Sequence, residues 1–196
     1  MAAKQRALRQ AKRRPLLNAR QANVHSQERT RLVRAGALER VARGTYRLAN
    51  QPVTEFQGFA IVAATAPKSV ICLLSAASFH GIGTQLPFEV WIAIERGSRA
   101  PAVRYPPQRV TRFSGASFRE GIEVHRIEGQ RVRIYGVAKT IADLFKFRTK
   151  IGVDVALEAL RDAWQRRLVT IDEIDRYARV CRVERVMRPY VEALVG

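Results

Sequence analysis

The stretch Ser26–Leu48, SQERTRLVRAGALERVARGTYRL, decides how this chain is read. Its first nine residues have helical spacing: Leu32 and Val33 turn toward a core, while Ser26, Gln27, Thr30, Arg31 and Arg34 share one outward face. His25 or Ser26 is placed to cap the start, and Gly36 supplies the left-handed residue that ends such a helix. Ala37 to Val41 and Thr45 to Leu48 then read as two short strands. Between them Gly44 gives the backbone freedom that a tight hairpin requires.

Upstream, Leu16 to Val24 reads as a short helix, with a turn at Asn23 to His25. An earlier helix from Ala2 to Arg14 stops at Pro15. Two short helices across a tight turn, followed by a hairpin, are the order of a winged helix-turn-helix, which residues 1–50 are expected to form. Downstream, Pro52 disfavours helix in the residue before it, so Asn50-Gln51-Pro52 is the expected linker.

Charge separates the same two parts. The 196 residues carry a formal charge of +18, from 35 basic and 17 acidic side chains. Thirteen of the basic residues and only two of the acidic ones, Glu28 and Glu39, lie in the first fifty positions. A surplus of that density favours a polyanionic partner, and duplex DNA is the first candidate. The major groove admits one helix whose side chains reach base edges while arginines hold phosphates. Gln27 suits adenine, and Arg31 or Arg34 suits guanine, each good pair contributing roughly 1 to 3 kcal/mol of discrimination. Ser26, Thr30, His25 and Arg20 complete the expected contact set on the helices. Arg43 at the hairpin turn, with Arg40 or Arg47 beside it, suits phosphate or minor-groove contact.

Residues 52–196 read as an α+β domain, a small and mostly antiparallel sheet packed against several helices. Helices are predicted at Thr54 to Ala66, Ser69 to His80, Val137 to Lys150, Val153 to Arg167, Thr170 to Val180 and Glu184 to Leu194. Strands are predicted at Phe88 to Glu95, Arg109 to Phe113, Ile122 to Ile127 and Val132 to Tyr135, with a hairpin turn at Glu128-Gly129-Gln130.

Enzymatic signatures are absent. Ser75 lies five residues before His80, but no GxSxG elbow or placed acid accompanies the pair, so His80 reads as a structural histidine. Asp143, on an otherwise apolar helix, needs a cationic partner, for which Lys139, Arg148 and Arg161 are candidates. The remaining carboxylates are scattered, no phosphate-binding glycine loop occurs, and Cys72 and Cys181 stand far apart with no CxxC spacing. No cofactor or metal is expected. No apolar run approaches the roughly 20 residues of a membrane helix, and the basic start lacks the apolar block of a secretory signal, so the expected location is the cytoplasm.

Several of these segments resemble a known family. Leu32 to Val41 with Arg43-Gly44-Thr45-Tyr46, then Ile71 to Gly81 around Ser75-Ala76-Ala77-Ser78-Phe79-His80, then Leu86 to Ile94, and finally Ala138-Lys139-Thr140-Ile141-Ala142-Asp143-Leu144-Phe145, are similar to the AbiEi antitoxins of type IV toxin-antitoxin systems. The resemblance implies an N-terminal winged helix that represses the protein's own operon. It also implies a C-terminal domain that opposes a nucleotidyltransferase-like toxin, with or without direct contact. Ser75, His80, Asp143 and Arg148 are the structural or effector candidates of that domain. At position 29, where the family carries an apolar residue in the recognition helix, this chain has Arg29. Either the register is shifted or the helix is anchored less well. The rival readings are a metal-dependent nuclease with a basic DNA-binding head, and a plain transcription regulator with no toxin partner.

Overall fold

The structure, a computed structural model, describes residues 16–18, 25–42, 44–50, 54–103 and 105–195. The expected helix from Ala2 to Arg14, most of the linker, and Arg20 and Arg43 lie outside the described residues. The chain is α+β with a mixed sheet, and it divides into two compact units. One comprises residues up to 68 together with 101–108 and 124–132; the other comprises 69–100, 109–123 and 133–196. This division differs from the expected partition at Pro52, because a helix after the linker and two later segments group with the basic part.

In the first unit, β1 (Leu16–Asn18), α1 (Ser26–Arg34), β2 (Leu38–Ala42) and β3 (Thr45–Leu48) follow one another. The three strands form an antiparallel sheet of order β1-β3-β2. Leu16 to Asn18 was expected to be helical and is a strand instead. Its backbone pairs with β3, Leu16 opposite Arg47 and Asn18 opposite Thr45, while the Leu16 side chain is buried among Ala60, Ile61, Val41 and Ile127. Pairing with a strand some thirty residues away outweighs the weak helix preference of so short a segment.

Helix α1 ends as its glycine dictates. Gly36 takes φ 65°, the Ala37 N–H donates to the Leu32 carbonyl, and the Gly36 N–H donates to that of Val33. These are the two bonds of a Schellman stop. At the other end His25 is the cap residue, but its side chain makes no capping bond, and Ser26 already lies inside the helix. Leu32 and Leu38 are buried against Val33, Ala37, Tyr46 and Leu48, which fastens α1 to the hairpin. Helix α2 (Gln57–Thr65) completes this unit, burying Phe59, Ala60, Ile61 and Val62.

The larger sheet has five strands: β4 (Val70–Ile71), β5 (Val90–Glu95), β6 (Gln108–Phe113), β7 (Ile122–Ile127) and β8 (Gln130–Tyr135). Their order is β6-β5-β4-β8-β7. Strand β4 is antiparallel to β5 but parallel to β8, with Ile71 opposite Ile134, so the sheet is mixed. The cause is Val70-Ile71, expected in a helix from Ser69 but fully buried as the central strand. Leu73, at φ 48°, then turns the chain into α3 (Leu73–His80), which ends at Gly81.

The remaining helices are α4 (Ala116–Arg119), α5 (Val137–Lys146), α6 (Arg148–Ile151), α7 (Val153–Gln165), α8 (Ile171–Cys181) and α9 (Glu184–Val195). Helix α8 starts on a capping box: Thr170 Oγ1 accepts from the Glu173 N–H, and the Glu173 carboxylate accepts from that of Thr170. Helix α5 is the axis of this unit. Every residue from Ala138 to Phe145 is buried, enclosed by α3, α7 and α8. Among the described residues no helix is long and apolar enough to cross a membrane.

One glycine admits α5. Gly121 has φ 73°, its carbonyl accepts from the Gly136 N–H at 2.8 Å, and a methyl group placed on it would lie 2.7 Å from Lys139 Cβ. Gly121→Ala combines a disfavoured backbone with an overlap against a buried stem, and is expected to cost roughly 2 to 4 kcal/mol in urea unfolding. A loss below 0.5 kcal/mol would show that α5 has room to move.

Candidate functional site

The outward face of α1 is set by the depth of Leu32. With that residue buried against the hairpin, Ser26, Gln27, Thr30, Arg31 and Arg34 are all exposed, as is His25. Thr30 Oγ1 donates to the Ser26 carbonyl at 3.0 Å, which holds its hydroxyl against the helix and leaves only acceptor capacity outward. Arg31 and Arg34 occupy the last turn, where the helix dipole favours cations, and neither forms an ion pair with a described residue.

Arg29 does something different. Its guanidinium carbon lies 5.9 Å from the centre of the Tyr46 ring, and the side chain is half-buried. Here a stacked arginine occupies the place where an apolar residue is expected. Leu32, three positions later, is buried in the small core between the helix and the hairpin.

The hairpin separates its arginines. A bulge between Arg40 and Ala42 shifts β2 by one residue, so that Glu39 faces Arg47 and Arg40 faces Tyr46. Arg47 Nη2 lies 2.8 Å from Glu39 Oε2, and Nη1 reaches Gln57 Oε1 at 3.4 Å. The Arg47 side chain is only 13% exposed. In this structure the carboxylate across the strand holds it within its own unit. Arg40 is exposed and makes no ion pair with a described residue.

The candidates in the second unit are brought to the core. Ser75 is buried, and its Oγ accepts from the Trp91 N–H at 2.9 Å, tying α3 to β5. His80 Nε2 lies 2.7 Å from the Tyr135 carbonyl, which also accepts from Thr140 Oγ1 at 3.1 Å. Ser75 and His80 thus tie their helix to different strands, β5 and β8. Arg148 donates to the Phe145 carbonyl at 3.0 Å, finishing α5 rather than meeting Asp143.

The partner of Asp143 is Lys139, one turn earlier, with Nζ 2.5 Å from Oδ2 and both side chains wholly buried. Asp143 Oδ1 accepts from the Cys181 thiol at 3.2 Å. Lys139 Nζ lies 4.0 Å from the Tyr135 ring centre and 5.0 Å from that of Phe113. Burial pushes the Asp143 carboxyl above the usual range, against the downward pull of Lys139 and the two hydrogen bonds. Burial, with Asp143 alongside, also pushes the Cys181 thiol up to about 12. Cys72 is raised for the same reasons. Neither thiol is activated for nucleophilic chemistry. Among the described residues no three His, Cys, Asp or Glu side chains gather as metal ligands.

Two predictions follow from these pairings. Arg47→Ala is expected to lower stability by roughly 1 kcal/mol through lost packing and ion pairing. Arg40→Ala should leave the unfolding midpoint unchanged, and equal losses would refute the different roles assigned to them. Lys139→Met strands the Asp143 carboxyl in the core and should cost about 3 to 5 kcal/mol at neutral pH. Because the folded carboxyl then lies further above its unfolded value of 3.8, its favourable contribution is full below that value and is lost as pH rises through the folded one. The Lys139→Met deficit should therefore shrink toward pH 4, and Lys139→Met/Asp143→Leu should recover much of the loss and abolish that pH dependence. Urea titrations across pH 4 to 8 check both statements.

No protein-family model and no curated protein matches the chain. Among solved structures it is similar to that of the Rv2827c protein from Mycobacterium tuberculosis, with a TM-score of 0.63, 13% identity, and coverage of 90% of this chain and 71% of that one. At that identity the likeness is one of fold.

Proposed function

We propose that this chain is a duplex-DNA-binding autorepressor and antitoxin, with the first unit as its DNA-binding module. The observation that carries the reading is the exposed face of α1, where Arg31 and Arg34 have no carboxylate among the described residues and stand beside Ser26 and Gln27. A helix of this kind followed by a short hairpin is the arrangement of a winged helix. The β1 strand, lying before α1 and pairing with the far strand of the hairpin, is the piece that closes such a sheet. Protruding arginines hold phosphates, while Gln27 and Ser26 address base edges.

The antitoxin half of the proposal rests on the resemblance of residues 71–81, 86–94 and 138–145 to the AbiEi antitoxins. Those segments build β4, α3, β5 and α5, and their polar residues Ser75, His80 and Asp143 bond inward. Any surface that opposes a toxin therefore lies on side chains other than these. The proposed toxin is a nucleotidyltransferase-like protein encoded beside this chain.

The protein should retard a duplex carrying its own upstream region and leave it uncut when magnesium is present. Cleavage abolished by EDTA would support the nuclease reading in its place. Arg31→Ala/Arg34→Ala should weaken retardation and flatten the log-log dependence on salt by roughly 0.9 for each phosphate contact removed. An unaltered slope would take both residues out of the contact set. Co-expression with the adjacent toxin should restore growth; no rescue by a folded chain would leave a plain transcription regulator.

A further inference from the structure

Strands β7 and β8 are joined by two residues, Glu128 at φ 50° and Gly129 at φ 74°. Positive φ at both central positions is the tight hairpin turn whose twist matches its strands, and it fixes the register. A two-residue turn of this type sets Ile127 opposite Gln130 and, one step back along the ribbon, Arg126 opposite Arg131. The tip, residues 124–132, belongs to the same compact unit as α1 and the β2–β3 hairpin.

Within that unit Ile127, Glu128 and Gln130 at the tip are committed to other contacts. Ile127 packs with Leu16, Ala60, Ile61 and Val41. Gln130 Nε2 donates to the Leu16 carbonyl at 2.9 Å, and Glu128 Oε1 accepts from Thr54 Oγ1 at 2.5 Å. Arg126 and Arg131 remain, both exposed and side by side on one face of the ribbon. Neither forms an ion pair or hydrogen bond with a described residue.

Like charges directly opposite one another across an antiparallel pair are destabilising. Of the two carboxylates nearest in sequence, that of Glu128 is bonded to Thr54, and Glu123, an odd number of residues from Arg126, alternates to the other face of β7. Two guanidinium forks held on a ribbon pinned at its tip suit successive anionic groups along a backbone, since arginine binds phosphate through a planar, bidentate fork.

We propose that the tip of the β7–β8 hairpin is a second phosphate-contacting element of the DNA interface, in which Arg126 and Arg131 grip the duplex backbone without reading sequence. This rests on the DNA-binding reading and extends its footprint to a segment far from α1 in the chain.

The test compares full-length wild type with Arg126→Ala/Arg131→Ala, on a duplex from the upstream region and on an unrelated duplex of equal length, across a salt series. The variant should bind both duplexes more weakly by the same factor, roughly tenfold to a hundredfold near 0.1 M salt, with a slope smaller by about 1.8. Its preference between duplexes should be retained. Arg126→Glu places an opposite charge beside Arg131, so it should unfold at an equal or higher denaturant concentration while binding DNA more weakly. A misfolded variant cannot give that combination. Undiminished affinity and slope in folded variants would overturn the proposal and leave the DNA-binding reading standing. A changed preference between duplexes would also overturn it, by assigning the pair to base readout. Wild type that binds neither duplex would overturn both.

Discussion

A lysine and an aspartate enclosed in one core constrain each other and everything around them. Lys139 and Asp143 are fully buried, so neither can lose its partner without leaving a charge in a medium that solvates it poorly. The requirement propagates outward. Their helix must be covered, which α3, α7 and α8 accomplish together with Tyr135 and Phe113 of the sheet. Cys181 at the end of α8 must deliver its thiol to the free carboxylate oxygen, and Tyr135 and Phe113 must present ring faces to the cation. The second unit is organised around a polar pair inside an apolar envelope, and the residues that look chemically suggestive in its sequence are the ones that hold the envelope shut.

At the surface the same electrostatics run the other way. The first fifty residues contain two carboxylates for thirteen cations, so pairing within that segment cannot be general. Glu39 takes Arg47, and Arg29 is absorbed by Tyr46. Arg31, Arg34 and Arg40 are left projecting from a rigid helix and hairpin. Their position follows from the burial of Leu32 and Leu38, which decides which face of α1 the solvent meets. An excess of cations on such a platform adds little to internal stability, since exposed pairs contribute little to folding.

What the sequence made legible was local. Gly36 marked the end of α1, Thr170 with Glu173 marked the start of α8, and the Glu128-Gly129 turn marked the β7–β8 hairpin, because each depends on neighbours in the chain. Two elements were missed where distant pairing decides the outcome. Leu16 to Asn18 is a strand because β3 is beside it, and Val70-Ile71 is a strand because β5 and β8 flank it, while short apolar runs carry no period that separates strand from helix. The ion pairs show the same limit. Lys139, Arg148 and Arg161 were equal candidates for Asp143 until the packing of α5 chose one. The separation of Arg40 from Arg47 was hidden for a subtler reason. Without a bulge, a two-residue loop after Ala42 would pair Arg40 with Arg47. The extra residue in β2 moves Glu39 into that place, and no residue type announces it.

The β2–β3 hairpin and the tip of the β7–β8 hairpin follow one cross-strand rule to opposite ends. In β2–β3 a bulge brings a carboxylate opposite an arginine, and in β7–β8 a strict two-residue turn sets an arginine opposite an arginine. The first arrangement secures a sheet that must support α1; the second leaves charge undischarged at a tip already fastened by Ile127 and Gln130. If both ribbons and the helix arginines meet the backbone of one duplex, most of the binding energy carries no sequence information, because phosphates are alike along the strand. Discrimination must then come from few atoms. On α1 these are the amide of Gln27, the hydroxyl of Ser26 and whichever of Arg31 and Arg34 reaches a base edge, with Thr30 restricted by its bond to Ser26. Such a protein would be held near DNA by many contacts and placed on its site by two or three.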